Sequence, residues 1–248
     1  MNFTGRHVVI TGASSGIGLA TAVKIVSLGG HVTLFARRVD VLKDVQQTLG
    51  DAANCVAVDV GEKMPLLAAL DGAVARGGPI DALFVNAALG GDFVPVWEYP
   101  DNTLEDVMRV NVLSPFWAVR HVLPAMMARR KGSILITGSL GSATGMAGNS
   151  AYVVSKHAVL GLARAVAMEV AASGVRCNCI LPGFINTAML ASVPEEKKAA
   201  MAKRTPLQYV GEPAEVAEVA AFLMSDAASH VTAQSWAVDG GLLGTLLL

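Results

Sequence analysis

A tyrosine and a lysine stand one helical turn apart in the segment A-Y-V-V-S-K-H-A-V, residues 151–159, which otherwise has the apolar spacing of a helix face. Positions i and i+4 share one face of an α-helix, so we expect the Lys156 ammonium near the Tyr152 phenol. A phenol ionises at about pH 10, and a neighbouring positive charge favours phenolate and lowers that pKa. We therefore predict that Tyr152 acts as a general acid or base near neutral pH. The alternative is a core tyrosine beside a surface lysine whose stem is buried.

A glycine-rich stretch, T-G-A-S-S-G-I-G at residues 11–18, lies between the first apolar run and a helical pattern. Gly12 permits a tight turn, Gly16 lets the backbone approach a pyrophosphate, and Gly18 lets the helix pack closely on the strand. The stretch predicts a dinucleotide site at the helix N-terminus, the alternative being an ordinary turn between strand and helix. The expected contacts are Gly12, Ser14, Ser15, Gly16, Ile17 and Gly18.

Two arginines follow the second apolar run, at the position where a dinucleotide site reads the adenosine ribose. An acidic residue there binds the 2′-hydroxyl of NAD, whereas an arginine binds the 2′-phosphate of NADP by charge-assisted contacts. The chain has Arg37 and Arg38 at this place. We therefore predict NADP(H) in preference to NAD(H), with Arg37 as the main contact. The alternative is that both arginines are surface residues opening the next helix.

The elements that must position these residues alternate along the chain, short apolar runs with helical patterns. The predicted strands are 7–11, 31–36, 55–59, 81–86, 132–138, 175–180 and 234–239. The predicted helices are 16–29, 39–49, 62–76, 102–130, 150–173 and 212–224. Such alternation indicates a parallel sheet with right-handed crossovers, and near-continuous apolar strands indicate helices on both of its faces. The sequence therefore predicts one α/β domain over residues 1–248, with an irregular segment, 184–211, that resembles a lid over the site.

Composition narrows the class of protein further. The 248 residues are 53% hydrophobic and 16% charged, and the net charge of −1 argues against nucleic acid as a partner. No apolar stretch reaches the roughly 18 residues of a membrane span, and the N-terminal residues lack the pattern of a signal peptide. The three cysteines have no metal-ligand spacing, so no bound metal is predicted. They lie in apolar runs typical of strands, which indicates small buried residues in a reducing compartment, and we therefore predict a cytoplasmic protein.

The motifs, taken together and in this order, resemble the short-chain dehydrogenase/reductase family over nearly the whole chain. They are T-G-x-x-x-G-I-G at 11–18, N-A-A at 86–88, Asn111, Ser139, Y-x-x-x-K at 152–156, P-G at 182–183 and V-D-G-G at 238–241. The spacing of 13 residues between Ser139 and Tyr152 is shared with the family. The resemblance implies a Rossmann fold with a seven-stranded sheet in the order 3-2-1-4-5-6-7. It also implies an oxidoreductase that acts on CH–OH groups.

The resemblance also implies residue roles. Tyr152 exchanges a proton with the substrate oxygen, and Ser139 donates a hydrogen bond to that oxygen. Lys156 tunes the phenol and, with Tyr152, contacts the nicotinamide ribose; a bound, positively charged nicotinamide would lower the phenol pKa as well. Asn111 opens its helix locally and holds a water that relays protons. The other implied cofactor contacts are Asp59 and Val60 at the adenine end, Asn86 and Ala87 near the first ribose, and Pro182, Gly183, Ile185 and Thr187 around the nicotinamide. Ala88 stands where the family often has glycine, which narrows the approach to the cofactor or favours a different φ.

The substrate is predicted less directly, from the character of the expected pocket. Its residues are Leu89, Leu140, Met146, Asn149, Phe184, Met189 and Leu190. Most are apolar, which favours a neutral, largely apolar ketone or secondary alcohol. A 3-oxoacyl-carrier-protein reductase remains an alternative, with Arg129, Arg130 and Lys131 as a basic docking patch, although residues 171–173 lack a second basic contact. A non-catalytic NADP-binding sensor is a further alternative. The resemblance also implies a homotetramer, with one interface on helices 102–130 and 150–173 and another on the apolar C-terminal residues.

Overall fold

Seven parallel strands form one sheet in the computed structural model of the chain, which describes residues 1–191 and 193–244. The strands are β1 His7–Thr11, β2 His31–Ala36, β3 Ala53–Ala57, β4 Ala82–Val85, β5 Gly132–Thr137, β6 Val175–Pro182 and β7 Ser235–Val238. Their order is β3-β2-β1-β4-β5-β6-β7, and all adjacent pairs are parallel. The predicted Rossmann fold and strand order are confirmed.

Eight α-helices accompany the sheet in the described residues. They are α1 Gly16–Ser27, α2 Val39–Leu49, α3 Lys63–Gly77, α4 Asp101–Met108, α5 Ser114–Ala128, α6 Ser150–Val170, α7 Glu195–Arg204 and α8 Pro213–Met224. Residues 109–113 form a π-helical turn between α4 and α5. The single helix predicted over 102–130 is therefore two α-helices joined at that turn, because the added residue per turn keeps the helical direction while breaking the 3.6-residue repeat.

Apolar side chains fill the space on both faces of the sheet. Leu70 of α3, Val119 of α5 and Val166 of α6 belong to one buried cluster. Ile25 of α1 and Val216 of α8 belong to the other. Strands buried on both faces can be apolar along their whole length, as β4 is, and β1 is polar only at its two ends, His7 and Thr11. This burial explains the high apolar content of the chain; among the described helices, none is both long enough and apolar enough to span a bilayer.

Two strands, β3 and β6, differ from their predicted bounds by two residues, and three others, β4, β5 and β7, differ by one. β3 begins at Ala53, paired with Val32, and ends two residues before the predicted limit. After Val58 donates to the Ala36 carbonyl at 2.8 Å, the chain turns. β6 continues to Pro182, because its last residues pair with β7. A proline at the end of a strand removes a donor only where the ladder stops.

The segment predicted as a lid, 184–211, returns to its starting point. Ile185 and Gly211 form a parallel bridge, in which Gly211 N donates to Phe184 O at 2.9 Å and Asn186 N donates to Gly211 O at 2.8 Å. Between these ends lie a short turn, residues 188–190, and helix α7. The segment therefore stands on the carboxyl end of β6 as a closed loop, next to the point where the strand order reverses between β1 and β4. Ligands of open α/β sheets bind at such a point.

Candidate active site

Tyr152 lies in the first turn of α6 and Lys156 one turn further on, where its side chain is buried. The Lys156 Nζ atom lies 5.5 Å from the centre of the Tyr152 ring and donates to the Thr137 carbonyl at 2.8 Å. Thr137 ends β5, so the ammonium is held against the carboxyl end of the sheet. The two side chains therefore share a helix face, but the ammonium lies over the ring.

Burial, and not the ammonium, dominates the ionisation of Tyr152. Burial raises the pKa of Tyr152 above its ordinary value, and a hydrogen bond with Ser139 lowers it in part. The expected lowering by Lys156 is not found in the chain alone, because an amine with a pKa of about 8 is already neutral at the pH at which the buried phenol ionises. Burial also lowers the pKa of Lys156 to about 8, and the nearby Cys179 thiol opposes this effect. Each group is thus destabilised in its charged form by its surroundings.

Ser139 follows β5 and begins a short turn, Leu140–Ser142. Its Oγ atom accepts from Gly141 N at 3.1 Å, and its own N–H donates to Ser142 Oγ at 3.1 Å. Ser142 Oγ in turn donates to the Lys156 carbonyl at 2.8 Å. Because Ser139 Oγ accepts from a backbone N–H, its hydrogen is free to be donated to another oxygen.

Asn111 is buried in the π-helical turn, where its side chain makes three hydrogen bonds. Its Oδ1 atom accepts from Leu89 N at 2.8 Å, and its Nδ2 atom donates to Leu89 O at 2.9 Å and to Ser155 Oγ at 3.0 Å. Ser155 Oγ donates to the Tyr152 carbonyl at 2.8 Å. Asn111 therefore links the segment after β4 to the helix that carries Tyr152.

Asn86 joins three strand ends at the reversal of the sheet. Its Nδ2 atom donates to the carbonyls of Thr11 and Gly12 at 3.3 and 3.2 Å, and its Oδ1 atom accepts from Thr137 Oγ1 at 3.1 Å. Thr11 Oγ1 accepts from the N–H groups of Asn86 and Ala87 at 2.9 and 3.0 Å. Asn86 and Ala87 therefore set the position of the glycine-rich loop.

The glycine-rich loop has the close contacts that a pyrophosphate cradle requires. A Cβ atom on Gly18 would lie 2.4 Å from the Gly12 carbonyl oxygen, and one on Gly12, whose φ is +67°, would lie 2.8 Å from the Ala87 backbone. Ser15 precedes α1, and its side chain makes no capping hydrogen bond within the described residues; the first turn has no acidic residue. The N–H groups at this helix end are thus accessible to an anion, which fits a dinucleotide pyrophosphate. Ile17, in the first turn, is half-buried.

The two arginines expected to read the ribose are both exposed, and they differ in their contacts. Arg38 Nη2 donates to Ser14 Oγ at 3.2 Å, which brings a guanidinium and a hydroxyl together beside the glycine-rich loop. In the described part of the chain, neither Arg37 nor Arg38 forms an ion pair with a carboxylate. At the adenine end, Asp59 Oδ1 accepts from Gly61 N at 2.8 Å, and Val60 is buried.

A family model described as enoyl-(acyl carrier protein) reductase matches residues 12–243 of the chain. The chain belongs to the short-chain dehydrogenase/reductase family. It is 36% identical over 241 residues to cis-4-hydroxycyclohexanecarboxylate dehydrogenase of Sinomonas cyclohexanicum, with 96% of this chain and 97% of the relative covered. It is 34% identical to cyclohexanol dehydrogenase of Acinetobacter sp. strain SE19, with 96% and 95% covered. A 3-oxoacyl-acyl-carrier-protein reductase of Salmonella typhimurium is 31% identical, with 98% and 99% covered.

Solved structures of the family have the same fold throughout. Levodione reductase superposes with a TM-score of 0.93 at 31% identity, covering 99% of this chain and 100% of its own. A gluconate 5-dehydrogenase from Beutenbergia cavernae, described as putative and NAD(P)-dependent and containing NADP at low occupancy, superposes with the same score at 34% identity, covering 98% and 99%. The chain is therefore an oxidoreductase of this family, whose relatives act on alcohols and ketones.

The remaining cofactor contacts implied by the family lie where the lid segment begins. Pro182 ends β6, Gly183 N donates to the Val238 carbonyl at 2.9 Å, and Ile185 is buried at the foot of the segment. Thr187 lies over the glycine-rich loop: a Cβ atom on Gly16 would be 3.1 Å from Thr187 Cγ2. The first residues of the lid thus approach the loop from the opposite side of the crevice.

The expected substrate-pocket residues differ in burial and fall into three groups. Asn149 is buried immediately before α6, and its Nδ2 atom donates to the Gly90 carbonyl at 2.8 Å. Met189 packs beside Gly90, whose Cβ position is 3.8 Å from the Met189 side chain. Met146 and Met189 are exposed, and the others are half-buried: Leu89, Leu140, Phe184 and Leu190.

The site also depends on Thr11, Thr137, Ser142 and Ser155, which the sequence did not single out, because isolated serines and threonines carry no spacing signal. Ala88 has no positive φ, so alanine is not strained there.

Proposed function

We propose that the protein is an NADP(H)-dependent oxidoreductase that interconverts a neutral, largely apolar ketone and the corresponding secondary alcohol. The observation that carries the proposal is the convergence of Ser139, Tyr152 and Lys156 beside the glycine-rich loop. In this arrangement a hydroxyl with a free hydrogen lies next to a buried phenol. A buried ammonium lies over that phenol. A sensor that only binds NADP has no use for this set, so catalysis is the better interpretation.

The proposed chemistry divides between the cofactor and the chain. When bound, the reduced nicotinamide supplies the hydride that the carbonyl carbon receives. Ser139 donates a hydrogen bond to the carbonyl oxygen, and Tyr152 gives that oxygen its proton as general acid. Lys156 and Tyr152 would hold the ribose hydroxyls, and Lys156 in its charged form would stabilise the phenolate that forms. In the oxidative direction Tyr152 takes the alcohol proton instead.

Asn111 is assigned a part in proton return to Tyr152. The hydrogen bonds of its side chain to Leu89 and Ser155 support a role in shaping the π-helical turn. We assign the relay to a water held at that turn, next to Lys156. Proton movement then runs from solvent to Lys156 and on to Tyr152 through the ribose hydroxyls.

The preference for NADP(H) rests on Arg38, Ser14 and Arg37. A guanidinium beside a hydroxyl can bind a phosphate by two kinds of donor at once, and no carboxylate neutralises it in the described residues. An aspartate at this place would instead repel the 2′-phosphate. Arg37 stays the predicted main contact, and the hydrogen bond of Arg38 to Ser14 supports Arg38 as the second contact.

The proposed substrate follows from the apolar mouth of the site. Met146 and Met189, both predicted pocket residues, are exposed, and the named activities of two relatives concern six-membered cyclic alcohols. The carrier-protein reductase is the second candidate, because such a reductase is among the relatives. Arg129 is engaged with Ile80 O and Asp81, and Lys131 precedes β5, so it lies at the amino end of the strands, whereas Ser139 and Tyr152 lie at their carboxyl end. A docking role for this patch would therefore require a second copy of the chain.

We also propose a cytoplasmic homotetramer. Phe116 on α5 and Val154 and Met168 on α6 are 48%, 53% and 66% exposed, which supports the expected interface on these two helices. The second expected interface includes residues 245–248, which lie outside the described residues. Light scattering of the protein, and of a variant lacking residues 244–248, tests both; an unchanged mass after the deletion would exclude the C-terminal interface.

The experiment that tests the proposed function compares NADPH and NADH binding and then follows NADPH absorbance with a panel of neutral cyclic and linear ketones. We expect tighter binding of NADPH, and ketone-dependent oxidation that Tyr152→Phe abolishes. Tyr209→Phe is the matched control, since Tyr209 is exposed and its hydroxyl donates to Glu215 Oε1 at 2.7 Å. Equal turnover in Tyr152→Phe and Tyr209→Phe would refute the role of Tyr152, and preference for NADH would refute the reading of the arginines.

A further inference from the structure

Ser142 is a buried serine whose hydroxyl connects two residues of the proposed catalytic set. Its Oγ atom accepts from Ser139 N at 3.1 Å and donates to Lys156 O at 2.8 Å. Its residue is 2% exposed. One hydroxyl therefore links the backbone after β5, at Ser139, to the backbone of α6, at Lys156.

The space around this hydroxyl leaves little freedom for either partner. A Cβ atom on Gly138 would lie 2.8 Å from Ser142 Oγ and 2.9 Å from Cys179 Sγ. Gly141, which donates to Ser139 Oγ, packs beside the Tyr152 ring, with its Cβ position 3.6 Å from Cε1. The turn that carries Ser139 is thus held by the Ser142 hydroxyl and packs against the Tyr152 phenol ring.

We propose that Ser142 is a positioning residue for the reaction, which holds the Ser139 hydroxyl in register with Tyr152 and Lys156. The proposal rests on the proposed function of this site. Without the Ser142 hydroxyl the Ser139 N–H loses its partner, and the turn is no longer tied to α6. The Ser139 hydrogen bond to the phenol then weakens.

Two measurable effects follow from a weaker bond between Ser139 and Tyr152. Substrate oxygen and phenol are less well aligned, so turnover falls while cofactor binding is retained. The bond also lowers the pKa of Tyr152, so its weakening should move the phenol to a higher pKa. The titratable groups beside Tyr152 are Lys156, on the same helix, and Cys179 of β6, which acts on Lys156, and neither is altered.

The test compares Ser142→Ala with Thr144→Ala, a matched control. Thr144 belongs to the same segment and its hydroxyl donates to Leu140 O at 3.0 Å, but it is exposed and contacts neither Ser139 nor Lys156. For Ser142→Ala we expect a fall in kcat of about fivefold, the effect of one hydrogen bond, with an unchanged Kd for NADPH. We also expect the pH profile of kcat to move to higher pH. Thr144→Ala should resemble the wild type in all three.

A second readout does not depend on turnover. The ultraviolet absorbance of phenolate can be titrated in a protein with three tyrosines, and Tyr152→Phe identifies the component of Tyr152. That component should titrate at higher pH in Ser142→Ala. If the wild type oxidises NADPH with none of the ketones in the panel, the proposed function is refuted. The phenolate titration would still decide the role of Ser142.

Three results would overturn the proposal: kcat within twofold of the wild type with an unmoved pH profile, equal losses in Ser142→Ala and Thr144→Ala, or an unchanged Tyr152 titration. If Ser142→Ala does not yield folded protein, Ser142→Cys replaces it. The thiol fills nearly the same space and bonds weakly. The same outcomes then apply.

Discussion

Removal of the Asn111 side chain should destabilise the folded protein and not only disturb catalysis. Asn111→Ala leaves both the N–H and the C=O of Leu89 without the amide that pairs them at 2.8 and 2.9 Å. Each orphaned buried backbone group costs about 1–2 kcal/mol, and alanine recovers roughly 0.5 kcal/mol through its higher helix propensity. The net loss of unfolding free energy is therefore about 2–3 kcal/mol.

A loss of that size is measurable as a shift in melting temperature. For a chain of this length, 1 kcal/mol corresponds to roughly 2–4 °C, so Tm should fall by about 4–12 °C. Ser155→Ala is the control, because it removes one acceptor from the Asn111 amide and keeps both bonds to Leu89. It should cost no more than about 1 kcal/mol.

The assay is thermal unfolding followed by circular dichroism, at one protein concentration and without added cofactor, since a bound ligand would raise Tm by itself. A Tm for Asn111→Ala within about 2 °C of that for Ser155→Ala would refute the reasoning. Asn111 would then serve catalysis only, and the amide bonds to Leu89 would be of no energetic consequence.

Three further predictions concern the buried charges and the glycine-rich loop. Burial, reinforced by the stacked His31 ring, lowers the pKa of His7, so the unfolded chain binds more protons than the folded chain. The free energy of unfolding should therefore fall as pH drops below about 6.5, and it should fall less steeply in His7→Gln. Unfolding curves between about pH 7.5 and 5.5 will show this difference. Lys156→Met should raise Tm while abolishing turnover, because the buried ammonium, with a pKa of about 8, costs up to about 3 kcal/mol; an unchanged or lower Tm would contradict this. Gly18→Ala should abolish NADPH binding by fluorescence titration, since its Cβ would lie 2.4 Å from Gly12 O, and retained affinity would show that the loop can shift.

Most of the fold could be predicted from the sequence because the strands are buried on both faces. β1, for example, has an uninterrupted apolar centre, residues 8–10, and each of these residues pairs with both β2 and β4. Where local pattern and pairing differ, the prediction was wrong. The limits of β3 are set by its partner Val32 and not by its own apolar residues. The apolar pattern did not predict the π-helical turn, since one residue more per turn leaves the pattern on both sides intact, and only the family resemblance implied a local opening at Asn111.

The residues proposed to touch cofactor and substrate were easier to predict than those that support them. The spacing of Tyr152 and Lys156 on one helix can be recognised in the sequence. Ser142 and Thr137 do not, because their contacts join segments far apart in sequence, such as Ser142 with Lys156 and Thr137 with Asn86. A single serine in a loop resembles any other until the chain is folded. The same holds for the pairing of Ser14 with Arg38 across the loop.

The architecture separates the groups proposed for chemistry from those proposed for specificity. Ser139 N–H is held by Ser142 Oγ and Lys156 Nζ by the Thr137 carbonyl, at the carboxyl end of the buried strand β5, where a displacement would also cost packing energy. Met146 and Met189 are exposed, on segments with no strand pairing of their own, and methionine adapts readily to different shapes. Substitutions at the two methionines can therefore change which ketone fits without moving the phenol. Relatives with the same fold and different named substrates, from cyclohexanol to carrier-bound acyl groups, are what such a separation permits.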